Sequence, residues 1–293
     1  MATFTEISSP QNPRYKTWLK LLDSRGIKKN EQALVSGRSF IHEIVERYGD
    51  RIEAVIVRKK PDEPCGAALL DGLDVPQRCQ IFALPSDMFA ALDIYGIRGP
   101  ILQISAPPPP AWNGELPLPR CNDDATNSAA SAPRCSMTVF VPFQNPINLG
   151  TTIRSAAAFD AGVVLLKEAA TPYLPKSLRA SGPGIFQVPL FSGPGLEELS
   201  RMDLPVFALS PRGRSIYDFD FAKACRLNAG NADIGAGIGL VAGLEGPGLD
   251  DYWPEERRIS IPMRSCVESL NASVSMSIAM AFFQAGLHRA GLD

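Results

Sequence analysis

The chain has 293 residues, 45% of them hydrophobic and 20% charged, which is ordinary globular composition and long enough for two domains. Two histidines, His42 and His288, and six cysteines with no C-x-x-C pair leave a zinc cluster short of ligands, so no metal is expected and the thiols are read as free. The net charge of -2 conceals an asymmetry: residues 1–60 hold 12 Lys and Arg against 7 Asp and Glu, leaving 17 against 24 for the remainder, so the first segment is either an anionic-polymer contact or a solvated basic surface.

The N-terminus mixes Pro, Asn, Glu and Arg where a signal peptide needs an unbroken apolar stretch, and no apolar run reaches transmembrane length. A cytoplasmic protein with no membrane partner is expected. Residues 15–22 and 38–48 place apolar side chains at helical spacing, and 54–57 and 80–83 read as short strands, giving a small α/β domain over 1–104. From 105 to 136, Pro107, Pro108, Pro109, Pro110, Pro117, Pro119 and Pro133 alternate with Asn, Asp, Ser and Ala, a composition for a linker or a disordered loop. The run of four prolines at 107–110 could instead dock in an aromatic groove, but no basic residue flanks that run. Beyond it, 137–141, 163–166, 206–209, 239–242 and 258–261 are strand-like and alternate with helical patterns such as 149–161 and 274–287, which predicts a parallel sheet covered by helices over 137–293.

Three stretches of this second part have the composition of a ligand site. The first holds Asn145, Asn148, Gly150 and Arg154 directly after a predicted strand, with Asn148 placed to cap the following helix and Arg154 about one and a half turns into it. Carboxyl ends of strands are where open α/β sheets bind ligands, and an arginine there can hold a phosphate. Taken alone it is equally a capping turn with a surface arginine. The second is an apolar strand ending in Gly243, Gly246 and Gly248 around a single carboxylate, Glu245, where glycine permits close backbone approach. Gly237, Gly239 and Ala242 imitate a dinucleotide fingerprint, but that motif must follow a strand and 228–232 reads as loop, so a nicotinamide cofactor is rejected. The third runs from Ile261-Pro262-Met263 to Ser269-Leu270-Asn271 and opens the C-terminal helix, whose free N–H groups suit an anionic ligand; the alternative is a capped helix with Ser273 and Ser275 merely packed.

In this order and at these separations the three stretches resemble the signature motifs of the SpoU (TrmH) class of RNA ribose methyltransferases in the SPOUT superfamily. Residues 175–182 resemble the helix between that class's first two motifs, and 7–60, through Ser9, Asn12, Pro13, Lys16 and 34–38, more weakly its N-terminal RNA substrate-binding domain. Ser36 stands where a glutamate is more usual, Leu244 replaces a commonly smaller or polar residue, and Gly182-Pro183 departs from the usual small-apolar pairing. The resemblance implies a deep trefoil knot in the C-terminal α/β domain, a homodimer with the active site completed across the interface, and S-adenosyl-L-methionine as cofactor. It also implies that backbone groups of Gly243, Ile261 and Leu270 hold the adenosine part, that Arg154 acts on the target 2′-hydroxyl, that Asn148 and Asn271 orient Arg154 and the target nucleotide, and that Glu245 and Ser269 complete the polar wall.

The implied reaction methylates a ribose 2′-hydroxyl in tRNA or rRNA, and only RNA presents that group. Free arginine has a pKa of about 12.5–13.8, so Arg154 is expected to orient the target through its phosphate and to stabilise charge developing on oxygen, whether or not it takes the proton. Arg14, Lys16, Lys20, Arg25, Lys28 and Lys29 are the candidate phosphate contacts, while Tyr15 and Trp18 either stack on bases or belong to the core. The competing readings are a non-catalytic RNA-binding dimer that serves in assembly, a base methyltransferase on the same scaffold, and an enzyme acting on a small molecule.

Overall fold

The computed structural model describes residues 4–59, 70, 72–116, 136–228, 237–243, 249 and 252–290, and the chain divides into two compact units. The first comprises Met1–Pro108 together with Thr171–Pro183, the second Pro109–Ala170 with Gly184–Asp293.

The first unit begins with strand β1 (Phe4–Glu6), helices α1 (Pro13–Lys20) and α2 (Ser24–Asn30), and strand β2 (Gln32–Ser36). There follow α3 (Arg38–Arg47), β3 (Ile52–Arg58), β4 (Gln80–Leu84), α4 (Ser86–Leu92) and β5 (Ile101–Ser105). Sheet order is β1-β4-β3-β5-β2, with β1, β4 and β3 parallel and β5 and β2 joining antiparallel. Tyr15 and Trp18, the third and sixth residues of α1, are 5% and 0% exposed in a core with Leu34, Ile56, Phe82 and Phe89. Their alternative role in base stacking is thereby excluded. The indole Nε1 of Trp18 donates to Gln103 Oε1 at 2.7 Å, and the Gln103 amide donates to Glu53 at 2.9 Å, so the polar end of the indole is satisfied inside the sheet. α2 carries no periodic apolar stripe that would announce it; Asp23 caps it by accepting from Gly26 N at 2.8 Å.

The second unit starts with β6 (Ser136–Val141), α5 (Pro146–Ala158) and β7 (Ala161–Leu165). The chain then enters the first unit as α6 (Pro175–Ser181), packed on β2, and returns as β8 (Leu190–Ser192), α7 (Leu196–Ser200), β9 (Val206–Ser215), α8 (Phe221–Asn228), β10 (Gly237–Ala242), β11 (Arg258–Ser260) and α9 (Ala272–Ala290). Six strands lie in the order β11-β9-β10-β6-β7-β8 and every neighbouring pair is parallel. Every residue of β6, β7 and β10 is buried, as expected of parallel strands covered on both faces. Gly237 and Gly239 lie within β10 rather than after it, and a Cβ on Gly239 would come 2.7 Å from Phe140 Cε2 and 2.8 Å from Val206 Cγ2. Close packing, not phosphate binding, accounts for that glycine.

Part of the proline-rich segment is ordered. Ala111 bridges to Ser192 beside β8, Trp112 N donates to Ser192 O at 2.8 Å, and the Trp112 ring meets Phe140 edge-on at 5.1 Å. Residues 117–135 lie outside the described ones. Cys79 and Cys266 are free thiols, but Cys225 is disulfide-bonded, which corrects the expectation of free thiols throughout. Spacing along a chain does not reveal which sulfurs a fold brings together. No helix among the described residues is long and apolar enough to cross a membrane.

Candidate active site

The carboxyl ends of β10 and β11 and the middle of β9 open into a cavity of about 490 Å3 lined by residues of the second unit. Leu209, Ala242, Ile259 and Met263 give it apolar walls, while Gly243, Ile261, Ser269, Leu270 and Asn271 contribute backbone groups and polar side chains. Its size falls in the range of about 300–1,000 Å3 typical of small-ligand sites, and its place is the one open α/β sheets reserve for ligands. Five of the eight predicted catalytic or cofactor residues therefore share one cavity. Among the described residues, no group of three or more His, Cys, Asp or Glu side chains could hold a metal ion.

The first stretch is built differently from its sequence expectation. Asn145, not Asn148, caps α5: its Oδ1 accepts from Ile147 N at 2.8 Å and from Asn148 N at 3.4 Å. Pro146 explains the choice, because proline at the first helical position has a suitable φ and lacks only an N–H the helix does not use there. Asn148, one turn in and 5% exposed, is left to accept at Oδ1 from Asn271 Nδ2 at 3.0 Å. Arg154 consequently lies more than two turns into α5 rather than one and a half. α5 also stops at Ala158, since Asp160 takes a left-handed φ of 51° and β7 begins directly after it.

Asn271 joins the first and third stretches. Its Oδ1 accepts from Ser273 N at 2.9 Å, Val274 N at 3.3 Å and Ser273 Oγ at 2.6 Å, so the side chain caps α9 while its amide reaches Asn148. Farther along, Ser155 and Ser277 hydroxyls meet at 2.7 Å and Gln284 Nε2 donates to Phe159 O at 2.6 Å, so α5 and α9 are tied along their length. Ser273, 3% exposed, packs as the capped-helix alternative expects, whereas Ser275 lines the cavity. Leu209, Ser210 and Pro211 also line the cavity, and no motif pointed to them.

Arg154 is exposed on α5 and does not line the cavity. Glu245 lies outside the described residues. In the first unit Arg14, Lys16, Lys20, Arg25, Lys28 and Lys29 are all exposed on α1 and α2, with the Arg14 guanidinium 4.5 Å from the centre of the Phe82 ring.

Comparison with known proteins bears on the family and the fold of this chain. The chain is 36% identical over 278 residues to a ribosomal RNA small subunit methyltransferase G 2 from Syntrophobacter fumaroxidans, covering 94% of this chain and 48% of that protein. It is 24% identical over 280 residues to the 23S rRNA (guanosine(2553)-2′-O)-methyltransferase RlmP of Bacillus subtilis, covering 93% and 96%. The chain spans about half the length of several curated relatives it matches. Among solved structures, an AdoMet-bound rRNA methyltransferase from Sinorhizobium meliloti superposes with a TM-score of 0.67 at 16% identity, over 97% of this chain and 98% of that one, which shows a shared fold. The model of the SpoU rRNA Methylase family matches residues 137–281. Through those residues the chain belongs to the SpoU rRNA Methylase family.

Proposed function

We propose that this protein transfers a methyl group from S-adenosyl-L-methionine to a ribose 2′-hydroxyl of a structured RNA, ribosomal or transfer, in the cytoplasm. The observation that carries the proposal is the cavity at the carboxyl ends of β10 and β11 and the middle of β9, where Gly243, Ile261, Ser269, Leu270 and Asn271 converge from two separate motifs. The donor set fits the cofactor: apolar Leu209, Ala242 and Ile259 suit the two faces of an adenine, and backbone groups at Gly243, Ile261 and Leu270 suit its edge. When bound, the cofactor supplies an electrophilic methyl group. The chain supplies position and charge, which for attack by a weak hydroxyl nucleophile is much of the work. Names of relatives lend support, since the Bacillus protein is called a 2′-O-methyltransferase.

Asn271 lines the site with Ser269 beside it and, through its amide, fixes the orientation of Asn148. Arg154 orients the target phosphate and stabilises negative charge on the attacking oxygen. Its exposed position, away from its own chain's cavity, supports a site completed by a second copy of the chain. Ile147, Tyr217 and Val274 are 53%, 64% and 43% exposed on the same unit, apolar surface that a second copy would cover. The knot is part of this reading; it is supported by the return of the chain from β10, across β9, to β11 and then back as α9 against α5 and β10. Residues 1–104 are proposed to bind the RNA, 105–136 to connect, and 137–293 to carry the transfer.

The test is alkaline hydrolysis of RNA labelled with methyl-tritiated cofactor. Methylation of a 2′-hydroxyl blocks strand scission at that position, so the label is expected in an alkali-resistant dinucleotide. Label released as a methylated-base mononucleotide would replace the ribose assignment. Mixing inactive Arg154→Ala and Asn271→Ala protomers should restore activity if the site is shared; no restoration in a verified mixed dimer would contradict the shared site.

A further inference from the structure

We infer that the RNA-contacting surface of the first unit extends beyond its N-terminal helices to a second basic patch built from α6 and the loop 93–98. The inference rests on the proposed RNA substrate and adds a part of its binding surface. In the sequence α6 lies between two catalytic motifs, yet in the fold it belongs to the first unit and packs on β2, the strand that follows α2. Pro175, Ser177, Leu178 and Ser181 face inward, which leaves Lys176 and Arg179 exposed on the outer side.

Arg179 is not a loose surface cation. Its guanidinium carbon lies 4.2 Å from the centre of the Tyr95 ring, an arrangement that fixes the group in place without neutralising it. Tyr95 belongs to a loop that is itself held rigid: the Asp93 carboxylate, 7% exposed, accepts from Ile97 N at 3.1 Å and from Arg98 N at 2.8 Å. The loop sets Arg98 at a φ of 61°, in a region unfavourable for a residue with a Cβ, and its side chain is exposed. Backbone strain maintained by a buried carboxylate, beside an arginine stacked on a tyrosine, presents three cations, Lys176, Arg179 and Arg98, on one rigid ledge. Phosphates are the ligands such preorganised guanidinium groups fit, and the same compact unit already displays the cations of α1 and α2. A contact of this kind adds affinity and register without reading bases.

The experiment measures binding of the full chain to a fluorescein-labelled structured RNA hairpin as a function of salt. Each lost phosphate contact lowers the slope of log K against log salt by about 0.7–0.9, so replacing Lys176, Arg179 and Arg98 by Gln together is expected to lower it by about 2.1–2.7. Cofactor binding should be unchanged. Arg201→Gln, an exposed arginine of the second unit, serves as the control and should leave the slope as it is. Because Arg179→Gln also removes a packing contact, Lys176→Glu is measured alone; at that exposed position a lower affinity and slope are expected without loss of fold. An unchanged slope in the triple variant and in Lys176→Glu, with the wild type binding normally, overturns the second patch and leaves the methyltransferase reading intact. Absence of salt-dependent binding by the wild type would overturn both.

Discussion

Replacing Asn271 separates its two structural duties. Asn271→Ala removes the cap of α9 and the hydrogen bond to Asn148 Oδ1 together. A lost asparagine cap costs about 0.5–2 kcal/mol, and a lost hydrogen bond of this kind about 0.5–1.5 kcal/mol, so the first turns of α9 should be weakened by about 1–3.5 kcal/mol. Asn271→Asp keeps an oxygen where Ser273 N, Ser273 Oγ and Val274 N donate, and a negative charge at a helix N-terminus is favourable. Only the donation to Asn148 is lost, a change of about 0.5–1.5 kcal/mol. Amide hydrogen exchange in peptides covering the start of α9 reads the difference: about 5- to 300-fold faster exchange for Ala and about 2- to 12-fold for Asp, at tenfold per 1.4 kcal/mol. Methyl transfer should fall in both, since both lose the amide that orients Asn148. If Asp exchanges as fast as Ala, the Asn271 oxygen is not what caps the helix and the account of the site's third motif is wrong.

Gly239→Ala should destabilise the second unit by about 1–3 kcal/mol, because its methyl would press on Phe140 and Val206 in the centre of the sheet; a urea midpoint equal to wild type would contradict that packing. Alkylation should separate Cys79 from Cys266. Cys266 is exposed, whereas Cys79 is buried under β3, its Sγ donating to Ile52 O at 3.5 Å, and burial pushes its thiol above the ordinary range. Cys266 should react at once at neutral pH and Cys79 only in denaturant; rapid labelling of Cys79 in the native protein would contradict its burial.

The central strands of the parallel sheet, β6, β7 and β10, were legible because they are buried on both faces and therefore appear as continuous apolar runs between helical patterns. β5 and α2 were not, since β5 adjoins the proline-rich segment in sequence and α2 has only seven residues with five polar or charged at its ends. The lining of the cavity was legible as motif composition: Gly243, Ile261, Leu270 and Asn271 do converge. What local sequence could not supply was the choice among three asparagines. Asn145 caps, Asn148 is buried, and Asn271 caps while bonding Asn148, a division set by Pro146 and by a contact 123 residues apart. The placement of α6 was invisible for the same reason, because only tertiary packing assigns 171–183 to the first unit.

The central claim is ribose methylation, and methyl transfer from radiolabelled S-adenosyl-L-methionine to total RNA of cells lacking this protein tests it most directly, with wild type and Arg154→Ala compared side by side. The account predicts label in a 2′-O-methylnucleoside with wild type and none with Arg154→Ala, which should still bind cofactor. Label in a base, or full activity of Arg154→Ala, would contradict it; no transfer by a wild-type protein that binds both cofactor and RNA would instead make the protein an RNA-binding factor.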